Sequence, residues 1–168
     1  MVITALHLYW YGRKRAPLSA NAGAPAVITG PVPRYRSIVV TRINPPALAA
    51  PAGFSHAVRA TGEVVWLAGQ TGTDATGRIV GGGLVAQFEQ ALSNLVTALR
   101  AAGGEPDQLA KVTIYIVDVP AYKAASREIG AVWRRIAGTG YPAMAGIGVA
   151  RLWDDEALVE IEGFAVLD

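Results

Sequence analysis

The sequence predicts an α+β fold in which a mixed sheet of about six strands carries two helices on one face. Strand-like and helix-like segments follow one another in the order β, ββ, α, β, α, ββ. Each helical segment also has a single apolar stripe, which indicates that only one side of it packs on the sheet. Two helices cannot cover both faces of such a sheet. We therefore expect another subunit to cover the second face.

The first three predicted strands are separated by turn residues. SIVVTRI (37–43) is rich in β-branched residues and precedes a proline-rich break, NPPALAAPAG (44–53). SHAVRA (55–60) and EVVWLAG (63–69) follow as two further strand-like segments. Because only Thr61 and Gly62 separate them, the sequence predicts a β-hairpin there.

Both helices are predicted from their apolar stripes. LVAQFEQALSNLVTALR (84–100) precedes Gly103 and Gly104, which are typical of a helix end. Its stripe consists of Leu84, Phe88, Ala91, Leu92, Leu95 and Leu99. PAYKAASREIGAVWRRIAG (120–138) has a proline that suits a first turn. The stripe of this second helix consists of Tyr122, Ile129, Trp133 and Ile136.

Three strands complete the predicted sheet. KVTIYIVDV (111–119) is apolar on both alternating sides, so both of its faces are expected to be covered. AMAGIGVARL (143–152) and ALVEIEGFAV (157–166) flank the acidic loop WDDE, which predicts a terminal hairpin. In that hairpin Met144 and Glu160 share a face and lie about six residues apart, which is about 20 Å at the usual rise of a strand.

Composition limits the chemistry that the chain can perform. The 168 residues make one domain with a small extension, and 52% hydrophobic against 17% charged residues suits a domain that buries further surface in an oligomer. There is no cysteine, and the two histidines, His7 and His56, are far apart in the chain. We therefore expect no metal site and no cofactor. No apolar run is long enough to span a bilayer, so a soluble, cytoplasmic protein without a membrane partner is predicted.

Charge divides the chain into two parts. Residues 1–42 carry six basic residues and no acid, which leaves nine basic residues against thirteen acids, a balance of 9 − 13 = −4, in residues 43–168. We interpret residues 1–37 as a basic, disordered extension and residues 38–168 as the folded domain. Two interpretations of the extension stay open: a functional leader, or translated upstream sequence with initiation near Val39 or Val40. The negative domain does not favour a nucleic-acid partner.

Several separated blocks resemble the RidA (YjgF) family of imine and enamine deaminases. They are LAGQTGTDATGRIVGGGLVAQFEQALSNLVTALRAAGG, KVTIYIVDV, YPA, GVARL and LVEIEG, in that order, and the resemblance runs from about Thr41 to Val166. It implies a chorismate-mutase-like α+β fold. It also implies a homotrimer around a central barrel of sheets, with small-molecule ligands in clefts between subunits.

The resemblance also implies a set of site residues. Glu160 matches the family's water-orienting glutamate, and Gly69 matches the glycine whose backbone meets the ligand. Phe54 stands where the deaminases usually have tyrosine. At three ligand-binding positions the chain departs from the family pattern: Met144 replaces an arginine, Gly146 a cysteine and Ser126 an asparagine.

Each candidate residue also has a simpler structural interpretation. An arginine would bind a carboxylate through two charge-assisted hydrogen bonds, whereas Met144 offers neither a charge nor a donor. Its presence argues against 2-imino acids as preferred substrates, although Met144 as a core filler stays open. Glu160 and Glu162 alternate with apolar residues and so point away from the helices. On that side they act in catalysis, or they line a wet channel or pair with Arg151. A lone histidine such as His56 is more often structural than ligand-binding.

The sequence therefore predicts a RidA-like hydrolase that acts on a reactive imine, enamine or related small metabolite in clefts between subunits. In this hypothesis Glu160 positions a water molecule, and Gly69, Phe54, Ser126, Met144 and Gly146 surround the ligand. A trimer that binds a small molecule without turning it over is the alternative. An endoribonuclease activity is the least favoured, because the domain lacks the positive surface that RNA requires.

Overall fold

The computed structural model describes residues 40–168. The predicted extension, and the predicted boundary between residues 37 and 38, lie outside this range. In chain order the elements are β1 Thr41–Ile43, β2 Ala57–Arg59, β3 Glu63–Thr71, α1 Gly83–Ala101, a 3-10 turn Pro106–Gln108, β4 Leu109–Ile116, α2 Val119–Ala124, α3 Ser126–Ala137, β5 Ala143–Gly148 and β6 Val159–Leu167. The predicted α+β class is confirmed.

The six strands form two sheets instead of the predicted single one. A four-stranded sheet has the order β3-β6-β4-β5, and β1 and β2 form a separate antiparallel pair. The hairpin predicted at Thr61 and Gly62 is wrong, because β2 pairs with β1, with Thr41 opposite Arg59. The turn at Gly62 changes the direction of the chain, but it connects strands of two different sheets.

The predicted terminal hairpin is also wrong, because β4 lies between β5 and β6. β4 is parallel to β5, with Val112 opposite Met144, and antiparallel to β6, with Val112 opposite Gly163. A parallel neighbour requires a crossover, which α2 and α3 provide between β4 and β5. The residues from 149 to 158 then carry the chain past β4 to the far side.

The helices pack where the apolar stripes predicted. In α1, Phe88, Ala91, Leu92, Leu95 and Leu99 are almost completely buried. The second predicted helix is two helices that meet at Ala125, whose backbone (φ −87°, ψ 8°) interrupts the α-helical geometry. The side chain of Asp118 caps the first of them by accepting a hydrogen bond from the backbone N–H of Ala121 at 2.9 Å. None of the helices between residues 40 and 168 is both long and apolar enough to cross a membrane.

The four-stranded sheet has two unlike faces. In β6, every second residue from Val159 to Leu167 is buried beneath the helices. We call this side the helix-side face. The residues between them, including Glu160, Glu162 and Phe164, are partly exposed on the opposite side, which we call the open face. The open face also carries Trp66, which is 74% exposed and packs edge-to-face on Phe164.

Candidate functional site

Glu160 and Gly69 lie against each other on the open face. The pairing of β3 with β6 shifts between Leu67 and Gln70, so that β3 bulges at Ala68 and Gly69. A Cβ atom added to Gly69 would overlap the carboxylate oxygen Oε1 of Glu160. The carboxylate therefore lies directly over the backbone of the bulge, in a position that a side chain on residue 69 would occupy.

A second carboxylate shapes the electrostatics around Glu160. The Tyr115 hydroxyl donates a hydrogen bond to Oε1 of Glu162 at 2.9 Å, and this bond raises the pKa of Tyr115. Partial burial raises the pKa of Glu160, and the negative charges of Glu162 and Asp154 raise it further. Glu160 thus holds a proton more readily than an exposed glutamate does, which suits a group that both accepts and donates a proton.

An open cavity of about 530 Å³ borders the two carboxylates. Its lining residues are Tyr115, Arg151, Leu152, Trp153, Glu160 and Glu162. Arg151 lies in this lining, yet within residues 40–168 it forms no ion pair with Glu160 or Glu162. The ion pairs of the described chain join Arg100 to Glu105 and Arg135 to Glu89. The two glutamates therefore face the cavity as carboxyl groups that a ligand can reach.

Met144 and Glu160 lie on opposite faces of the sheet, so the prediction that they share a face is wrong. Met144 is opposite Val112 and packs against the core on the helix-side face. Glu160 is opposite Tyr115 on the open face. Residues 112 and 115 of β4 are three positions apart, and neighbouring strand residues alternate between faces. The error came from pairing β5 directly with β6.

Met144 and Ser126 border a second cavity, of about 170 Å³, on the helix-side face. It lies between β5 and the helices α2 and α3, and Gly53 and Ser126 are exposed at its edge. Gly146 faces the same side, since a Cβ added there would contact Cδ1 of Ile116 at 3.4 Å. The structure thus brings Ser126 and Met144 together, with Gly146 further along the strand, but it keeps all three apart from Gly69 and Glu160.

Phe54 lies in the loop that leads to this second cavity. It is half-buried, and its ring packs edge-to-face on His56 with centroids 5.1 Å apart. The His56 ring makes a 2.9 Å hydrogen bond to the carbonyl oxygen of Ala49, and its backbone N–H donates to the side chain of Asn44. These contacts support the structural interpretation of His56. Phe54 is a neighbour of the cavity through Gly53.

Several residues around the two cavities were not predicted as site residues. The sequence pattern places Tyr115 only on an apolar strand face, and its contact with Glu162 depends on the register between β4 and β6, which the pattern does not give. Tyr122 and Trp133 were assigned to the buried stripe of a helix, and the stripe pattern does not show that they surround a cavity. The sequence signal that could have identified Tyr115 as a site residue was the alternation of apolar and polar residues along its strand.

Comparison with known proteins links this arrangement to one family. A family model described as Endoribonuclease L-PSP matches residues 45–167. A 2-iminobutanoate/2-iminopropanoate deaminase from Capra hircus is 32% identical over 129 residues, which cover 76% of this chain and 88% of the relative.

Solved structures agree with the sequence comparison. The Rid family protein YyfB from Yersinia pestis is similar with a TM-score of 0.67 and 39% identity, covering 79% of this chain and all of the other. The YjgF gene product of E. coli is similar with a TM-score of 0.57 and 28% identity, covering 74% of this chain and 94% of the other.

Proposed function

The chain belongs to the RidA (YjgF) family, and on that premise we propose that it hydrolyses the C=N bond of a reactive imine, an enamine or a related small metabolite. The family match spans residues 45–167 and so includes both cavities. The relative from Capra hircus is named for its action on 2-iminobutanoate and 2-iminopropanoate. The relative's name thus supports hydrolysis of a C=N bond as the reaction class proposed for this chain.

The contact between Glu160 and Gly69 is the observation that carries this proposal. Hydrolysis adds the oxygen of water to the imine carbon, breaks the C–N bond and releases ammonia or an amine. A glutamate with a raised pKa can take a proton from the attacking water and deliver it to the departing nitrogen. The bulge at Gly69 interrupts the β-ladder next to the carboxylate, so its backbone groups can bind the polar atoms of the substrate.

We also propose that the chain assembles as a homotrimer, and the exposed apolar residues of the open face support burial of that face between subunits. Val64 and Trp66 are 47% and 74% exposed there, although both are apolar, and a covered face would remove this surface from water. Because Met144 and Glu160 lie on opposite faces, a site that contains both must take them from two subunits. We therefore place the proposed site in a cleft between subunits.

Two other functions are less favoured. A trimer that binds a ligand without turnover is supported by the departures at Met144, Gly146 and Ser126, which change three ligand-binding positions but leave Glu160 in place. An endoribonuclease activity, the description of the family model, has less support. The balance of −4 in residues 43–168 does not provide the positive surface that binds RNA phosphates.

A mixing experiment tests the proposed site. Glu160→Gln subunits and Met144→Trp subunits are each expected to release ammonia from an uncharged imine at least about 100-fold more slowly than wild type. When the two are unfolded together and reassembled, sites that combine Met144 of one subunit with Glu160 of another regain both groups. Random assembly at equal amounts predicts that about a quarter of the sites recover.

The control for this experiment is Glu162→Gln, which removes a carboxylate from the same strand and the same face. It is expected to retain most of the turnover, because Glu162 is not the group that lies over Gly69. Mixtures with no recovery would place the site within one chain. An absence of ammonia release by wild type from any imine, combined with ligand binding, would support the non-catalytic trimer instead.

A further inference from the structure

Aromatic rings line much of the cavity that Met144 borders. Trp133 stacks on Tyr141 with ring centroids 5.8 Å apart, and Phe88 packs edge-to-face on Tyr122 with centroids 6.1 Å apart. All four rings contribute to its lining, together with Met144. The surface that a ligand meets in this cavity is therefore mostly apolar.

One polar atom in this lining lacks a partner. Trp133 is 3% exposed, and its indole Nε1–H is the one buried side-chain polar atom in residues 40–168 without a hydrogen bond. Buried donors are almost always paired, since leaving a donor unpaired in the interior is unfavourable. Because Trp133 is one of the residues that line the cavity, a ligand held there can supply the missing acceptor.

The uncharged lining of this cavity favours an uncharged ligand. Among residues 40–168, no charged side chain lines this cavity. Burial raises the pKa of Tyr122 to about 12, so its phenol stays neutral and remains a potential donor at physiological pH. Ser126, at the exposed edge, adds a neutral hydroxyl. A carboxylate inside the cavity would have no cation to compensate for the loss of water.

We propose that this cavity binds an uncharged group about the size of an aromatic ring, with one hydrogen-bond acceptor that receives the Nε1–H of Trp133. A volume of about 170 Å³ is sufficient for a ring of this kind, since apolar cavities of roughly 150 Å³ bind benzene. If the proposed hydrolysis is correct, this group is the side chain of the substrate imine. On that premise the chain acts on imines of uncharged, aromatic or branched carbonyl compounds.

Three probes of similar shape separate the contributions of the ring, the acceptor and the charge. Acetophenone has a ring and a carbonyl acceptor, ethylbenzene has the ring alone, and benzoate has the ring and a negative charge. We expect acetophenone to bind about tenfold more tightly than ethylbenzene, because it pairs the buried donor. Benzoate is expected to bind more weakly than either.

The measurement is the NMR signal of the indole N–H groups in protein with ¹⁵N-labelled tryptophan. Acetophenone is expected to move the Trp133 signal downfield, whereas ethylbenzene binds without that shift. Trp133→Phe removes the donor and is expected to reduce the affinity for acetophenone to that for ethylbenzene. Trp153→Phe, at a position that is 75% exposed and outside this cavity, is the matched control and is expected to leave both affinities unchanged.

The outcomes distinguish this inference from the proposed hydrolysis. The titrations are repeated with Glu160→Gln, which is expected to bind acetophenone like wild type, because the contacts proposed for acetophenone are the aromatic lining and the Nε1–H of Trp133 and do not include Glu160. Equal affinities for acetophenone and ethylbenzene, tighter binding of benzoate, or an unmoved Trp133 signal at saturating acetophenone would each overturn the inference. None of these results concerns catalysis by Glu160, and a lack of turnover would not affect acetophenone binding.

Discussion

The two faces of the four-stranded sheet are formed by the same strands but differ in almost every property. On the helix-side face, Val112 and Ile161 are completely buried beneath the helices. On the open face, Trp66 is mostly exposed and Glu160 and Glu162 border a cavity. The difference shows that alternate residues of one strand can serve separate purposes. In β4 and β6, the helix-side residues hold the fold together, and the open-face residues are available for assembly and chemistry.

The largest expected difference between the faces is in stability. Leu95 is completely buried in α1, so Leu95→Ala is expected to lower the free energy of unfolding by about 2 to 5 kcal/mol. Trp66→Ala removes a larger side chain, but from a position that is 74% exposed. The unfolding free energy of the dissociated chain is expected to change by about 0.5 kcal/mol or less. Urea titrations of dilute protein measure both values.

Sedimentation measurements extend this comparison to assembly. If the open face is the subunit interface, Trp66→Ala weakens association, whereas Leu95→Ala changes it only through folding. A Trp66→Ala protein that unfolds as readily as Leu95→Ala at dilute concentration would show that the two faces contribute equally to the fold. The division of roles between the faces would then be wrong.

A smaller effect on stability is expected when alanine replaces either of two glycines that lie on opposite faces of the sheet, Gly163 and Gly69. A Cβ at Gly163 would lie 2.6 Å from the backbone oxygen of Lys111, so Gly163→Ala must displace backbone and is expected to cost about 1 to 3 kcal/mol of stability. The three atoms nearest to a Cβ at Gly69 all belong to the side chain of Glu160, which can rotate away. Gly69→Ala is therefore expected to fold normally and to lose the activity that depends on Glu160.

Thermal unfolding and imine turnover test this pair of variants, with Gly81→Ala as the control because no atom of residues 40–168 beyond its chain neighbours lies within 4 Å of its added Cβ. Since Gly69→Ala acts by moving Glu160, adding it to Glu160→Gln is expected to cause little further loss of activity. Additive losses in the double variant would show that Gly69 acts independently of Glu160.

Local patterns in the sequence predicted the elements and their faces. The stripe of α1 and the alternation of Glu160 with Val159 and Ile161 each depend on residues close together in the chain, and the structure confirms both. The RidA resemblance, which rests on separated blocks of sequence, is confirmed by the family match.

Strand order was not predictable from the same patterns. Nothing local distinguishes a hairpin between β5 and β6 from an arrangement with β4 between them, because that choice depends on how α2 and α3 pack across the sheet. The relation of Met144 to Glu160 was therefore wrong, although each residue had been assigned to a strand correctly. The unpaired N–H of Trp133 also depends on packing, which a helical stripe does not specify.

The smallest expected effect is a difference in pH dependence between two carboxyl groups. Burial, followed by the charges of Glu162 and Asp154, raises the pKa of Glu160 above its usual 4.5. Its contribution to stability is thus fully present below pH 4.5 and is lost as the pH rises through the raised pKa. Glu160→Gln does not titrate, so it is expected to match wild type near pH 4 and to exceed its stability at pH 7. Because Glu160 is only partly buried and solvent screens its charge, the gain is expected to be below about 1 kcal/mol.

Asp74 is expected to show the opposite pH dependence of stability, because its pKa is lowered instead of raised. Hydrogen bonds from the Thr76 hydroxyl and from the backbone N–H groups of Arg78 and Thr76 lower the pKa of Asp74 below its usual 3.8. Its contribution is present above pH 3.8 and is lost as the pH falls through the lowered value. Asp74→Asn is therefore expected to be less stable than wild type at pH 7, with a difference that shrinks as the solution is acidified.

Urea titrations of both variants, Glu160→Gln and Asp74→Asn, between pH 3 and 7 test the pair. If Glu160→Gln instead lost stability at pH 7, Glu160 would stabilise the fold as an anion. The open face would then contribute to folding through that charge, in contradiction to the separation of the two faces.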